Sequence, residues 1–145
     1  MKILLAYDGY QHSENALASA ATLAEGGTAE VTILSVVPPD ARGSKAGGHV
    51  GIRPHAHEDV ARGHAYLRER GIASEMQIEH GDPVDEIVRV AQEGGYDLIV
   101  TGSHGRGPIG EAVLGSVSKA LIRRAPCAVL VAGKEAQTRF EPAGA

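Results

Sequence analysis

The chain has almost no aromatic residues and a single cysteine. Aromatics make up 3% of its 145 residues and tryptophan is absent, so the core has to be built from Ala, Val, Leu and Ile. Stacking nucleic-acid bases calls for aromatic platforms, and gripping a phosphate backbone calls for a basic surface. With 14 basic residues against 18 acidic ones, the chain offers neither, and nucleic acid is disfavoured as a partner. The lone Cys127 excludes an internal disulfide and a cysteine metal cluster, and it suits a reducing, cytoplasmic setting. No apolar run reaches the roughly 18 residues that would suggest a membrane span. The opening MKILLAYDGY is too short in apolar residues for a secretory signal.

What is present is a hydrophobic fraction of 43%, enough for one ordinary domain with a real core. Short apolar runs alternate with longer amphipathic stretches. KILLAY, AEVTILSVV, a partly alternating segment from Ile72 to His80, DLIVT and CAVLVA read as strands. Between them, Ser13 to Ala24, Glu58 to Arg70, the segment opened by Asp82-Pro83, and the segment from about Ser116 read as helices. Asp82 is expected as an N-cap with Pro83 in the first turn, and Val84, Ile87, Val88 and Ala91 as that helix's buried stripe. The second helix has sparse apolar positions at Val60, Ala61, His64, Ala65 and Leu67. Asp40 to Pro54 lacks periodicity and is expected to be a mobile surface loop, and residues 136–145 a frayed tail after one domain over residues 1–135.

Five strands alternating with four helices predict an α/β fold, a doubly wound parallel sheet with helices on both faces. Ligands of such sheets sit beyond the carboxyl ends of the strands, where strand order reverses. Asp8-Gly9, Val36 to Pro39, Gly81-Asp82 and the glycine-rich GSHGRGPIGEAVLGS (102–116) all map to that edge.

The glycines of the last segment fit two registers. Gly105, Gly107 and Gly110 spell G-x-G-x-x-G, but Pro108 removes a backbone donor inside the turn. The position about 20 residues on, where a carboxylate would hold a ribose, is Val129 or Leu130. Gly102, Gly105 and Gly115-Ser116 spell G-x2-G-x9-G-S, in which Gly102 ends a strand and lets a ribose or phosphate lie against the backbone. Gly115-Ser116 then opens a helix whose free N–H groups attract phosphate, with the Ser116 and Ser118 hydroxyls nearby. No Walker A lysine is present.

TGSHGRGPIGEAVLGSVSKALIRRAPCAVLVAG closely resembles the C-terminal signature of the universal stress protein family. KILLAYDGYQHSENAL and VTILSVV resemble that family's first strand and helix and its second strand, so the likeness spans nearly the whole chain. The complete glycine spacing is that of the ATP-binding branch, on a Rossmann-like, adenine nucleotide alpha hydrolase-like fold. The resemblance implies Asp8 facing the nucleotide near its adenine, ribose or metal, and Val36 meeting adenine through its backbone. Gly102 and Gly105 would approach ribose and phosphates, and Gly115, Ser116, Val117 and Ser118 would cradle the phosphates. It further implies ATP (or AMP or ADP), expected with Mg²⁺, a homodimer meeting through Cys127–Ala132, and a role in stress sensing with little or no catalysis.

Plainer readings stand beside these. Asp8-Gly9 is an ordinary turn signal, and Ser116 an ordinary N-cap. His55, His57 and His64 lie close in sequence but lack the carboxylate partner of a catalytic metal site. His104 and Arg106 fall in the glycine segment, and Cys127 reads as a small core residue. No G-x-S-x-G occurs, so acyl transfer has no support. The competing functions are a slow ATPase or adenylate-using enzyme, with Asp8 or His104 as base, and a nucleotide-free interaction module.

Overall fold

In the computed structural model, residues 1–39, 55–103 and 114–133 are described. They form β1 (Lys2–Ala6), α1 (Gln11–Ala24), β2 (Glu30–Val37), α2 (Ala56–Glu69), β3 (Ser74–His80), α3 (Pro83–Glu93), β4 (Leu98–Gly102), α4 (Ser116–Arg124) and β5 (Ala128–Ala132). All strand pairs are parallel, in the order β3-β2-β1-β4-β5. The expected doubly wound α/β sheet is therefore what the chain adopts. Asp40 to Pro54, Gly105 and residues 136–145 lie outside the described residues.

Alternation along the buried strands splits the core in two. Ile3, Leu5 and Tyr7 of the first strand and its extension face α1 and α2, together with Val31 and Ile33. Leu4 and Leu34 face the other way, where Ile87, Val90 and Ala91 of α3 and Leu121 of α4 close over them with Ile99. Each fully buried Leu or Ile contributes about 1.5–3 kcal/mol of transfer free energy, so the aliphatic core needs no tryptophan. Asp82 caps α3 by accepting from the Asp85 N–H at 3.0 Å, with Pro83 in the first turn.

Two helices differ from the pattern read off the sequence. Val90 is buried in α3, whereas Val84 and Val88 sit half-buried at the stripe's margins. In α2 the buried face is Ala56, Asp59, Val60, Gly63 and Leu67, while Ala61 and Ala65 are exposed. A missing side chain sets that face: a Cβ on Gly63 would lie 3.3 Å from Ile33 Cδ1, so the helix approaches the sheet there. Apolarity alone could not point to a glycine and an aspartate as inward positions.

From β1 the chain builds outward through β2 to β3, then returns to the other side of β1 for β4 and β5. The strand order thus reverses between β1 and β4, and loops on either side of that point diverge and leave a crevice.

Candidate functional site

At the carboxyl end of β1 the chain leaves the sheet through Asp8 and Gly9, the latter at φ +81°. The Asp8 carboxylate is tied to its own loop and the start of α1. Oδ1 accepts from the Tyr10 N–H at 2.9 Å and from the Ser13 hydroxyl at 2.8 Å, and Oδ2 lies 3.0 Å from His12 Nε2. Ser13 Oγ in turn accepts from the Asp8 and Gly9 N–H groups at 3.2 and 3.0 Å. Partial burial works against the Asp8 charge, but the His12, Tyr10 and Ser13 contacts outweigh it and hold the carboxyl below its usual range. The group is a fixed, ionised acceptor with 47% of its side chain exposed.

Behind it, the buried Tyr7 hydroxyl donates to Glu14 and receives Arg62 Nη2 at 3.4 Å. Burial first, then the bond to Glu14, pushes the Tyr7 phenol up to about 12. Arg62 also pairs with Asp59 at 3.5 Å, a carboxylate only 2% exposed. A chain of alternating charge therefore joins β1, α1 and α2 beside the crevice.

The carboxyl end of β4 is organised by close packing. A Cβ on Gly102 would fall 2.0 Å from the His12 carbonyl oxygen, so α1 packs backbone to backbone against the strand end. The Gly102 carbonyl accepts from the buried Ser118 hydroxyl at 2.9 Å, which ties β4 to the first turn of α4. Gly115 is the N-cap of α4 (φ −73°, ψ 169°), Ser116 is the first helical residue, and the N-cap makes no side-chain capping bond. The N–H groups of Ser116, Val117 and Ser118 belong to the turn that has no intrahelical acceptors.

These two ends frame a cavity of ≈ 200 Å³ at the topological switch point. Asp8, Val36, Gly102 and Val117, all expected at the site, line it. Gly115 is half-buried and Ser116 exposed at the α4 terminus beside it, and Ser118 is buried beneath. Gly105, His104 and Arg106 lie outside the described residues. Gly81-Asp82, placed at this edge from the sequence, contributes through the next residue, Pro83.

Several lining residues escaped sequence reasoning: Tyr10, His12 and Ser13 on the α1 side and Asp59 on α2. Ser13 had a signal, a hydroxyl five residues after an aspartate in a strand-to-helix turn. Asp59 had none. The buried Ser103 hydroxyl has no partner among the described residues.

Among the three histidines near α2, His64 Nδ1 lies 2.7 Å from Ser74 Oγ and His55 3.5 Å from Glu58. No group of three metal-ligating side chains occurs among the described residues. Cys127 is half-buried, and burial, aided by Asp97, pushes its thiol up, away from a reactive thiolate. β5 is an edge strand that pairs with β4 on one side. No helix among the described residues is long and apolar enough to cross a membrane.

Comparison with known proteins gives a consistent answer. Universal stress protein YxiE of Bacillus subtilis is 33% identical over 143 residues, covering 90% of this chain and 97% of the relative. A universal stress protein family protein from Arabidopsis thaliana, solved with AMP bound, superposes with a TM-score of 0.71 at 20% identity and covers 99% of this chain and 97% of its own. The universal stress protein from Archaeoglobus fulgidus in complex with dAMP gives 0.68 at 23% identity, covering 90% and 96%. The family model described as universal stress protein family matches residues 1–133, and the chain belongs to that family.

Proposed function

We propose that the chain binds an adenine nucleotide in the β1/β4 crevice, ATP or else AMP or ADP. The observation that carries this reading is the polarity of the cleft. One end presents Asp8, a carboxylate that only accepts hydrogen bonds and therefore suits ribose hydroxyls or an amino group on the base. The other end presents the amino terminus of α4, whose N–H groups and dipole suit phosphate. Val36 of β2 and Ile87 of α3 both line the cavity, giving it apolar wall on which the face of a base fits. The bound AMP and dAMP of the two structural relatives support the same ligand class. Asp8, Val36, Gly102, Gly105, Gly115, Ser116 and Val117 are the proposed contacts, with Ser118 beneath them.

Mg²⁺ is expected to travel with ATP, held by its phosphates. The described residues fit a protein-held Mg²⁺ poorly. Such sites use one or two carboxylates beside the phosphates, and Asp8, whose Oδ2 has a single partner and keeps an acceptor position for a ribose or base donor, stands at the other end of the cleft from α4.

The protein would act in a stress response as a cytoplasmic homodimer, with the outer edge of β5 (Cys127 to Ala132) as its contact. Sensing is favoured over turnover, because a carboxylate held below its usual range is a weak general base. Native mass spectrometry of protein purified without added nucleotide, followed by calorimetric titration with ATP, ADP and AMP, tests the reading. One saturable site per chain, lost in Gly105→Val with the fold intact, is the expected result. No co-purified nucleotide and no saturable heat with any of the three would overturn it.

A further inference from the structure

Ser118 sits in the first turn of α4 and is 1% exposed. Its hydroxyl has one proton, and that proton goes to the Gly102 carbonyl at 2.9 Å. A phosphate oxygen needs a donor, so this hydroxyl, committed to the strand, has nothing left to give a phosphate. Its partner is itself immobilised. Gly102 is packed against the His12 carbonyl so tightly that no Cβ would fit, and it lies at the last rung of the β4–β5 ladder opposite Ala132. A continuous set of close contacts therefore runs from the α1 start, through the end of β4, to the first turn of α4.

We propose that Ser118 is a positioning residue that fixes the N–H groups of Ser116 and Val117 at the phosphate end of the cleft. It thereby sets the preference for phosphorylated nucleotide over nucleoside. This rests on the adenine-nucleotide reading above. The nucleoside end of the cleft is built by Asp8, Val36 and their neighbours, whereas the Ser118 hydroxyl bonds to the Gly102 carbonyl. Loosening α4 should weaken phosphate contacts and leave nucleoside contacts in place.

The test is calorimetric titration of the intact wild type, Ser118→Ala and Ser118→Cys with ATP, AMP and adenosine. The cysteine variant fills the site with a slightly larger group that donates only weakly, so it reports on the hydrogen bond if the alanine variant folds poorly. ATP and AMP affinities are expected to fall about fivefold to tenfold in both variants, with adenosine changing less than about twofold. The Gly115 and Ser116 amide resonances should also move in the nucleotide-free variants, which a direct phosphate ligand would not require. Equal losses for all three ligands would reduce Ser118 to a general stabilising role, and unchanged ATP and AMP affinity would overturn the proposal. A wild type that binds neither ATP nor AMP would instead overturn the nucleotide reading, and the positioning role with it.

Discussion

The two ends of the crevice are built on opposite principles. At the β1 end, position is fixed by polar groups: Asp8 is held by Tyr10, His12 and Ser13, and Tyr7 by Glu14 and Arg62. At the β4 end, position is fixed chiefly by what is missing, a side chain at Gly102, with one buried hydroxyl across the joint. The first end gives a fixed negative charge whose state depends on pH. The second gives uncharged backbone donors in a rigid frame. A ligand that is neutral or donor-rich at one end and anionic at the other matches both, which is the polarity of a nucleotide.

The comparison breaks most visibly at Gly102. If its glycine serves helix packing, Gly102→Ala should destabilise the nucleotide-free protein by about 3 kcal/mol, since the two backbones must separate. Urea denaturation without ligand measures this, and a loss below about 0.5 kcal/mol would return the glycine to a purely ligand-driven role.

At the polar end, Tyr7→Phe is expected to cost about 1.5 kcal/mol near neutral pH by leaving Glu14 and Arg62 short of a partner. The pH signature is distinctive. The phenol's folded value is raised from 10.0 to about 12, so its contribution is present below pH 10 and is lost as pH climbs from 10 towards 12. Wild type and variant should therefore converge in alkaline denaturation. Parallel curves over that window would contradict the assignment.

Asp8→Ala should cost about 1 kcal/mol at neutral pH by removing the acceptor of the Tyr10 N–H and the Ser13 hydroxyl. The Asp8 carboxyl is lowered in the folded state, so this contribution is present above the unfolded value of 3.8 and disappears as pH falls through the folded one. The gap between wild type and variant should close on acidification, read from thermal melts at stepped pH.

Ser116→Ala sharpens the contrast from the other side. The residue is exposed and no capping bond from it occurs among the described residues, so stability should change by less than about 0.5 kcal/mol. A larger loss would mean the α4 terminus depends on its outer hydroxyl as well as on Ser118.

Much of this was legible in the residues. Periodicity located five strands and four helices, and the alternation of strand and helix implied the parallel sheet and its crevice. Asp8, Val36, Gly102 and Val117 were placed at the cavity they line. Reasons were harder to read than positions. The spacing of Gly102 pointed to a ligand, yet its nearest neighbour is the backbone of α1, a contact 90 residues away in sequence that no local pattern encodes. The resemblance implies a phosphate contact at Ser118, and a strand carbonyl takes its proton. His12 and Asp59 reach the cavity because of how α1 and α2 pack, and packing angle is set by tertiary contacts such as Gly63 against Ile33. Hydrophobic periodicity carries no such information.

The most direct test of the account is an amide-resolved NMR titration of the isotope-labelled protein with ATP. Saturable shifts should concentrate at both ends of the crevice together: Asp8 to Ser13 and Val36 on one side, Gly102 and Gly115 to Val117 on the other. Shifts confined to one end, or scattered without saturation, would contradict a nucleotide spanning the cleft.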